Sequence, residues 1–179
     1  NQSGWSLEAL LPAHEGPGFE ELLTELEEQV GAFEKQRDRL SADMTVEAFL
    51  DVMELAESIR TLATRLVGYA RLWFAEDTQA QDALVFLGRM EQLATEMQNR
   101  LLFFELWWKG LEEEPAQRLL AESGDYAYYL RTLRRFRPHT LSESEEKIIN
   151  LKDVNGVDAL VNLYEMVTNR QIGRASCRE

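Results

Sequence analysis

Cysteine and histidine are almost missing from this chain of 179 residues. The sequence contains one cysteine, Cys177, and two histidines, His14 and His139. A lone cysteine near the C-terminus leaves no basis for a disulfide framework or for a zinc site built from cysteines. Only four prolines and ten glycines interrupt the chain, and 45% of its residues are hydrophobic, which is ordinary for a globular protein.

Positive charge is also scarce. The chain has 19 lysine and arginine residues against 32 aspartate and glutamate residues, a net charge of −13. This balance argues against binding to nucleic acid or to an anionic membrane, because both require positive charge facing phosphate. No uncharged apolar run approaches the roughly 18 residues of a membrane span. The sequence starts at Asn1 without a basic segment, an apolar segment or a cleavage site, so we expect a cytoplasmic protein.

One histidine invites comparison with a zinc motif. His14-Glu15 could begin the H-E-x-x-H pattern, in which two histidines one helical turn apart bind zinc and the glutamate activates water. The second histidine would have to be residue 18, which is Gly18, and Pro17 prevents a regular helix there. The zinc motif is therefore absent.

A di-iron site is excluded in the same way. Helical di-iron proteins use Glu-x-x-His, but the residues three positions before His14 and His139 are Leu11 and Phe136. We also find no phosphate-binding loop and no nucleophile with a base partner. The sequence therefore predicts no catalytic, cofactor-binding or metal-binding residue in this chain.

Apolar residues recur at helical spacing through most of the chain, and no segment alternates with the period of a strand. We predict a short helical turn over Trp5–Leu11, with Ser6 as a possible N-cap. A loop over Pro12–Gly18 follows, in which Pro17 suits the first turn of the next helix. A stripe from Phe19 to Leu40 predicts the next helix, and Thr45 begins another that ends at Glu76-Asp77-Thr78. The expected fold class is all-α, with several long antiparallel helices.

The third long helix is predicted from Gln79 to Leu111. Its last part, Leu101–Trp108, is apolar on all sides, so it should lie buried among several neighbours. A short helix follows from Pro115 and stops before Gly124. Another begins near Tyr126 and ends at Pro138, because a residue before proline avoids the α region.

Aromatic residues concentrate in two places. Phe103, Phe104, Trp107 and Trp108 could line a ligand groove, but a place in the core is the stronger interpretation, because large aromatics dominate cores. Tyr128, Tyr129 and Phe136 stand among four arginines, Arg131, Arg134, Arg135 and Arg137. Helical spacing places most of these arginines opposite the aromatic stripe, which predicts buried rings and ion pairs with acidic helices rather than RNA binding.

The stretch Pro138–Tyr164 reads as two short helices joined by a turn. Ser142 and Glu145 have the spacing of a capping box. Ile148, Ile149 and Leu151 give the first helix an apolar side. Asn155-Gly156 predicts a break, since both residues tolerate positive φ. Val157, Leu160, Val161 and Tyr164 then resume helical spacing.

Residues 171–179, QIGRASCRE, do not continue this pattern. They add Arg174 and Arg178 to an acidic chain and include Cys177. Back-translated, they resemble a short-read sequencing adapter read in frame, so we expect an adapter-derived tail and exclude it from fold reasoning.

Three segments resemble the N-terminal region of the oligoendopeptidase F family. They are Trp5–Pro12 (WSLEALLP), Gly68–Leu111 and Tyr126–Glu165. The most telling parts are the Pro138-His139…Glu145-Glu146-Lys147-Ile148 run and the Tyr69-Ala70…Asp77-Thr78 segment. The resemblance covers residues 5–170 in order.

Members of this family are zinc metallopeptidases of the thimet oligopeptidase type that hydrolyse short peptides. The resemblance implies that residues 1–170 are the N-terminal helical domain of a larger peptidase and form a wall of its substrate channel. Their zinc is bound by an H-E-x-x-H helix and a downstream glutamate, and this chain has no such residues. We therefore expect this polypeptide to be inactive by itself and assign it no zinc ligand, His139 included.

An alternative remains open. A free-standing acidic helical module could bind partner helices through the Phe103–Trp108 region. Such a module should be stable and soluble, whereas part of a larger helical protein should expose apolar surface and bind a hydrophobic dye.

Overall fold

The computed structural model describes residues 6–175, with side chains described up to residue 171. Within that range the chain is helical and has no strand, which confirms the all-α prediction. The α-helices are α1 (Pro17–Glu34), α2 (Val46–Glu76), α3 (Gln81–Gly110), α4 (Glu113–Ala121), α5 (Ala127–Arg135), α6 (Glu143–Asp153) and α7 (Ala159–Ala175). Short 3-10 turns span Arg37–Arg39, Gly124–Tyr126 and Arg137–His139, and a π-helical segment spans Val154–Asp158.

The helix starts follow from local chemistry, as predicted. Pro17 occupies the first turn of α1, where its missing N–H costs nothing. The Thr45 side chain caps α2 by accepting a hydrogen bond from the Ala48 N–H at 3.2 Å. At α6 the Ser142 hydroxyl accepts from the Glu145 N–H, and the Glu145 carboxylate accepts from the Ser142 N–H, which confirms the capping box.

Helices α2 and α3 form the body of the fold. They are joined by the short segment 77–80, which makes them antiparallel neighbours, and α1 packs against both. The buried stripe of each helix meets the others in one core. Its largest fully buried side chains are Phe19, Phe33, Phe49, Phe74 and Trp108.

The Phe103–Trp108 region belongs to this core. Phe103, Phe104 and Trp108 are buried, and the Trp108 indole donates a hydrogen bond to the Leu130 carbonyl at 2.9 Å, which ties α3 to α5. The core interpretation is confirmed. Neither a ligand groove lined by these aromatics nor a surface for partner helices at Phe103–Trp108 fits the structure, because the rings of Phe103, Phe104 and Trp108 pack between α1, α2 and α3.

The prediction for the arginines and aromatic residues of α5, ion pairs and buried rings, is partly confirmed. Arg134 is almost buried and donates to the carbonyls of Trp108 and Leu111 and to the Glu113 carboxylate. Its guanidinium also lies 5.7 Å from the centre of the Trp108 ring. The expectation of buried aromatics fails at Tyr128 and Phe136, which are exposed because α5 is only nine residues long and buries just Leu130.

The bounds of the first two helical segments differ from the prediction. Of the predicted turn over Trp5–Leu11, the described part is a single turn closed by hydrogen bonds from the Leu10 and Leu11 N–H groups to the Leu7 carbonyl, and Trp5 lies outside the described residues. Helix α1 stops at Glu34, short of Leu40, since Leu40 adopts an extended backbone after a 3-10 turn.

The predicted break at Asn155-Gly156 is wrong. Helices α6 and α7 join through the π-helical segment into one helical run from residue 143 to 175. Gly156 does not use positive φ, which among the described residues occurs only at Gly16 and Gly124. The Asn155 side chain donates to the Leu151 carbonyl at 3.1 Å and so satisfies a helical acceptor inside the run. The wider π turn absorbs the irregularity without ending the helix.

Helix α7 passes residue 170, the predicted end of the domain, and continues to Ala175. Cys177 and the rest of the predicted adapter-derived tail from residue 176 lie outside the described residues. The adapter interpretation stays a prediction. In the described part of the chain, no helix is long and apolar enough to cross a membrane.

Candidate functional site

A groove runs along α2 where α3 and α5 lie beside it. It consists of two adjoining cavities of about 420 Å³ and 630 Å³, which share Arg60, Thr64 and Tyr129. We call it the α2 groove. Its apolar wall comprises Met53, Ala56, Ile59, Ala63, Val67, Met97, Leu101 and Leu133. An apolar cleft with a few convergent polar groups is the usual form of a binding site.

Small residues open the groove. Ala63 and Gly68 of α2 face it from one side and Ala94 of α3 from the other, so the two long helices leave space between them. A Cβ atom built on Gly68 would have no atom within 4 Å. Gly68 therefore contributes empty volume, at the cost that glycine carries inside a helix.

The polar centre of the groove is formed by three side chains. Arg60 donates to the Glu105 carboxylate at 2.5 Å, and its guanidinium lies 4.8 Å from the centre of the Tyr129 ring. The Tyr129 hydroxyl donates to the same carboxylate at 3.4 Å. Burial, aided by the Glu105 charge, raises the pKa of Tyr129 to about 12. Tyr129 is therefore a protonated hydrogen-bond donor at neutral pH.

One end of the groove is negatively charged. The Tyr126 hydroxyl donates to the Glu57 carboxylate at 2.5 Å. This hydrogen bond, with burial and the nearby charges of Glu57, Glu54 and Asp125, raises the pKa of Tyr126 to about 12. The groove thus offers an apolar wall, aromatic edges and both hydrogen-bond donors and acceptors.

The helical run α6–α7 presents a second surface, on which apolar side chains are exposed to solvent while mostly polar ones face the core. Its exposed large apolar side chains are Ile148, Ile149, Val157, Leu160, Val161, Leu163, Tyr164 and Val167, while Leu151, also exposed, lines a cavity beside α3. We call this set, without Leu151, the outer apolar face. The half-buried positions of the same run are mostly polar: Glu143, Glu146, Lys147, Asn150, Val154, Gly156, Asp158, Asn162, Met166 and Thr168. An exposed apolar patch of this kind marks an interaction surface.

Polar contacts attach α6–α7 to the core. Arg37 pairs with Glu143 at 2.6 Å, and the Asn150 amide donates to the Asn99 side chain at 2.8 Å. The Asn162 amide donates to Glu91 at 3.5 Å. Met166 is the one described residue of α7 that packs on the hydrophobic core.

The histidines of this chain do not fit a zinc site. His14 stacks against Trp73 at 4.4 Å and against the edge of Phe86 at 5.9 Å between ring centres, which is an aromatic packing role. His139 lies in the 3-10 turn that follows α5. Among residues 6–171, no three His, Cys, Asp or Glu side chains are grouped to hold a metal ion. No step of zinc chemistry is derived from these residues.

Sequence reasoning named no site residue and missed the α2 groove. Its polar members come from α2, α3 and α5, which are far apart in sequence, and nothing in their spacing shows that they meet. One signal was present. Ala63, Gly68 and Ala94 lie on the inner sides of two helices that were predicted to be long and antiparallel, and small residues there leave room between helices.

The comparisons with known proteins give one match. Residues 107–170 match a family model described as oligopeptidase F, in its N-terminal part. The comparison with curated proteins and that with solved structures each found no match. The matched residues include the Pro138–Ile148 run, which confirms the resemblance over Tyr126–Glu165, while Trp5–Pro12 and most of Gly68–Leu111 lie outside the match. Residues 107–170 are thus similar to an N-terminal part of the oligopeptidase F family, and the all-helical fold of the described residues agrees with that similarity.

Proposed function

We propose that residues 1–170 are the non-catalytic N-terminal helical domain of a zinc-dependent, cytoplasmic oligoendopeptidase, in which they form a wall of the channel that admits oligopeptides. The family match over residues 107–170 is the observation that carries this proposal. The zinc motif H-E-x-x-H is absent from the sequence, whose two histidines are 125 positions apart, His14 and His139. The zinc and its catalytic residues are therefore expected in another part of the peptidase.

The α2 groove supports a role in contact with peptides. Its apolar wall suits side chains of varied shape, and the Arg60–Glu105–Tyr129 centre offers donors and acceptors to a peptide main chain. A peptide bond carries one donor and one acceptor, both of which must be satisfied when it leaves water. A groove that supplies both kinds of group and few specific pockets fits ligands of varied sequence.

The outer apolar face supports a place within a larger helical assembly. A helix that directs its apolar side away from its own core gains stability only when another element covers that side. We propose that other helices of the peptidase cover the outer apolar face, while the α2 groove remains open to the channel. The two surfaces then have separate roles, one in assembly and one in contact with substrate.

Peptide binding to the groove is tested by filling it. Gly68→Leu adds a side chain into space that is empty in the structure, whereas Gly31→Leu makes the same change on α1, also in open space, away from the groove. Fluorescence anisotropy of a labelled ten-residue peptide gives the affinity for each protein. We expect Gly68→Leu to weaken binding at least about fivefold, roughly 1 kcal/mol, and Gly31→Leu to leave it unchanged.

Equal affinities for the three proteins, or no peptide binding by any of them, would overturn the channel-wall role. The non-catalytic role has its own test. The purified chain supplied with zinc should not cleave a fluorogenic peptide above background. Hydrolysis that disappears on addition of a chelator would contradict it.

A further inference from the structure

A third cavity lies between α3 and the π-helical segment, on the side of the molecule where α6–α7 meets the core. Its volume is about 440 Å³. Two polar residues of α3 in its wall are buried, Glu91 with 7% of its surface exposed and Thr95 with 9%. The other buried residues of α3 are apolar, and the buried Glu91 carboxylate is paired with Arg71 at 3.1 Å and accepts from the Asn162 amide at 3.5 Å.

Thr95, Asn155 and Asn162 line the cavity and carry oxygen atoms that can accept hydrogen bonds. The Asn155 amide nitrogen donates a hydrogen bond to the Leu151 carbonyl, and the Asn162 amide nitrogen donates one to the Glu91 carboxylate. Their carbonyl oxygens accept no hydrogen bond from the described residues, and neither does the Thr95 hydroxyl. Thr24, Thr132 and Thr168, by contrast, each donate to the carbonyl four residues earlier in their helix. Together with the Glu91 carboxylate, these atoms form a set of acceptors.

A set of acceptors with one carboxylate selects a positively charged donor. A bare metal ion fits poorly, because the cavity has more than ten times the roughly 30 Å³ that one water occupies and only one carboxylate lines it. An ammonium group has three N–H donors, which match several oxygen acceptors at once. The apolar part of the wall, Leu151 and Val154, suits the methylene chain that carries such a group.

We propose that this cavity binds a primary alkylammonium group, carried either by a lysine side chain of a peptide or by a free alkylamine. The Glu91 carboxylate compensates its charge, and Thr95 and the carbonyl oxygens of Asn155 and Asn162 accept hydrogen bonds from its remaining N–H groups. Its methylene chain lies on Leu151 and Val154. The site lies on the α3–α6 side and is lined by other residues than the α2 groove, to which it is linked by Arg71, a residue of the groove that pairs with Glu91. It goes beyond the proposed function and does not depend on it.

In the free protein, Arg71 partly compensates the charge of the Glu91 carboxylate. Its guanidinium lies 3.1 Å from a Glu91 oxygen, but 62% of the Arg71 side chain is exposed, so solvent screens the attraction. An incoming ammonium must share Glu91 with Arg71 or replace it. Removal of Arg71 should therefore strengthen binding, which is the opposite of what a purely structural ion pair predicts.

The experiment uses isothermal titration calorimetry of the full chain with n-pentylammonium, and with n-pentanol as a probe of similar shape without charge. We expect the ammonium to bind and the alcohol not to bind at the same concentration. Glu91→Gln should weaken binding at least about tenfold, and Arg71→Ala should tighten it about threefold or more. Nuclear magnetic resonance signals of the Asn155 and Asn162 side-chain amides should shift as the probe is added.

A second variant tests the proposal independently, in case Glu91→Gln does not fold. Gly88→Leu leaves Glu91 in place and adds a side chain to the cavity wall, where a Cβ would meet no atom within 4 Å. It should abolish binding, while Gly31→Leu should not. Equal binding of the alcohol, unchanged binding by Glu91→Gln or Gly88→Leu, or unchanged or weaker binding by Arg71→Ala would each overturn the proposal.

The two possible sources are separated by a further titration. A short acetylated peptide with one lysine that binds more tightly than n-pentylammonium indicates a peptide lysine as the ligand. Tighter binding of n-pentylammonium indicates a free alkylamine. If neither probe binds, the cavity is not an ammonium site.

Discussion

In α1, α2 and α3 the apolar stripes face one another, whereas in α6–α7 the apolar side chains face outwards and polar ones face α3. Leu130 is the last buried residue of the described chain, and no described side chain after it is buried. Both regions are helical, and both have helical periodicity in their sequence. They differ in one respect. The apolar stripes of α1, α2 and α3 cover one another, whereas no described element covers the apolar side of α6–α7.

The comparison shows where stability comes from. Packing of an apolar face supplies most of the stability of helices in proteins. Helices α1 to α5 have that packing, while α6–α7 relies on the capping box, a few polar contacts and Met166. We therefore expect α6–α7 to be the weaker region until its outer apolar face is covered.

The largest expected effect comes from the core. Trp108→Ala removes a side chain with 0% of its surface exposed and its hydrogen bond to Leu130. We expect it to lower the free energy of unfolding by about 3–5 kcal/mol, measured by urea denaturation. Leu160→Ala, at a residue with 67% of its surface exposed, should change it by less than about 0.5 kcal/mol. Similar losses for the two variants would remove the distinction between the regions.

A smaller effect is expected at Arg134, which links α5 to the end of α3. Arg134→Ala leaves the Trp108 and Leu111 carbonyls without this donor, and we expect a loss of about 1–3 kcal/mol in the same assay. Arg131→Ala is the matched control on the exposed side of α5 and should cost less than about 0.5 kcal/mol. A loss at Arg131 equal to that at Arg134 would show that charge, rather than these contacts, decides the result.

The capping box should matter only to α6–α7. Ser142→Ala removes the cap of α6 and is expected to cost about 1 kcal/mol of local stability. Faster hydrogen exchange in α6, with unchanged exchange in α2 and α3, is the expected result. Lys152→Ala, at an exposed residue of α6 outside the capping box, is the control and should leave exchange in α6 nearly unchanged. Faster exchange throughout the chain after Ser142→Ala would show that α6 and the core unfold as one unit.

The weakest expected effect is a dependence on acid. Hydrogen bonds from Arg37 and Lys147 lower the pKa of Glu143, which joins α6 to the end of α1. Because the folded pKa is depressed, this contribution is present above the ordinary glutamate pKa of about 4.3 and is lost as pH falls through the folded value. Circular dichroism from pH 7 to pH 2 should show loss of helix in α6–α7 before the core transition. Glu143→Gln should flatten that first change, and an unaltered curve would contradict the assignment.

Much of the fold was predictable, because long apolar stripes and caps are local signals. Thr45, Pro17 and Ser142 mark helix starts that the structure confirms, and the burial of Phe104 and Trp108 follows from the apolar run around them. Failures came where local preference was overruled. Asn155-Gly156 permits a turn, but the helical hydrogen bonds on either side continue through a π-helical segment instead.

The surfaces were harder to predict. Helical spacing shows that Leu160 and Tyr164 share a side of α7, but it cannot show whether that side meets a neighbour. Likewise, the contact between Arg60 and Glu105 joins residues 45 positions apart, which only the packing of α2 on α3 brings together. The resemblance to the oligoendopeptidase F family, which the match over residues 107–170 supports, could be seen in the sequence because it depends on motifs and their order and not on these contacts.

Hydrogen exchange of the full chain, followed by mass spectrometry at pH 7, tests most directly the claim that α6–α7 is a helical run awaiting cover for its outer apolar face. We predict that amides of α2 and α3 exchange only through global unfolding, while those of α6 and α7 exchange at least about a hundredfold faster, roughly 2.7 kcal/mol less protected. Equal protection of both regions in the free chain would contradict it, since α6–α7 would then be stable without a covering partner.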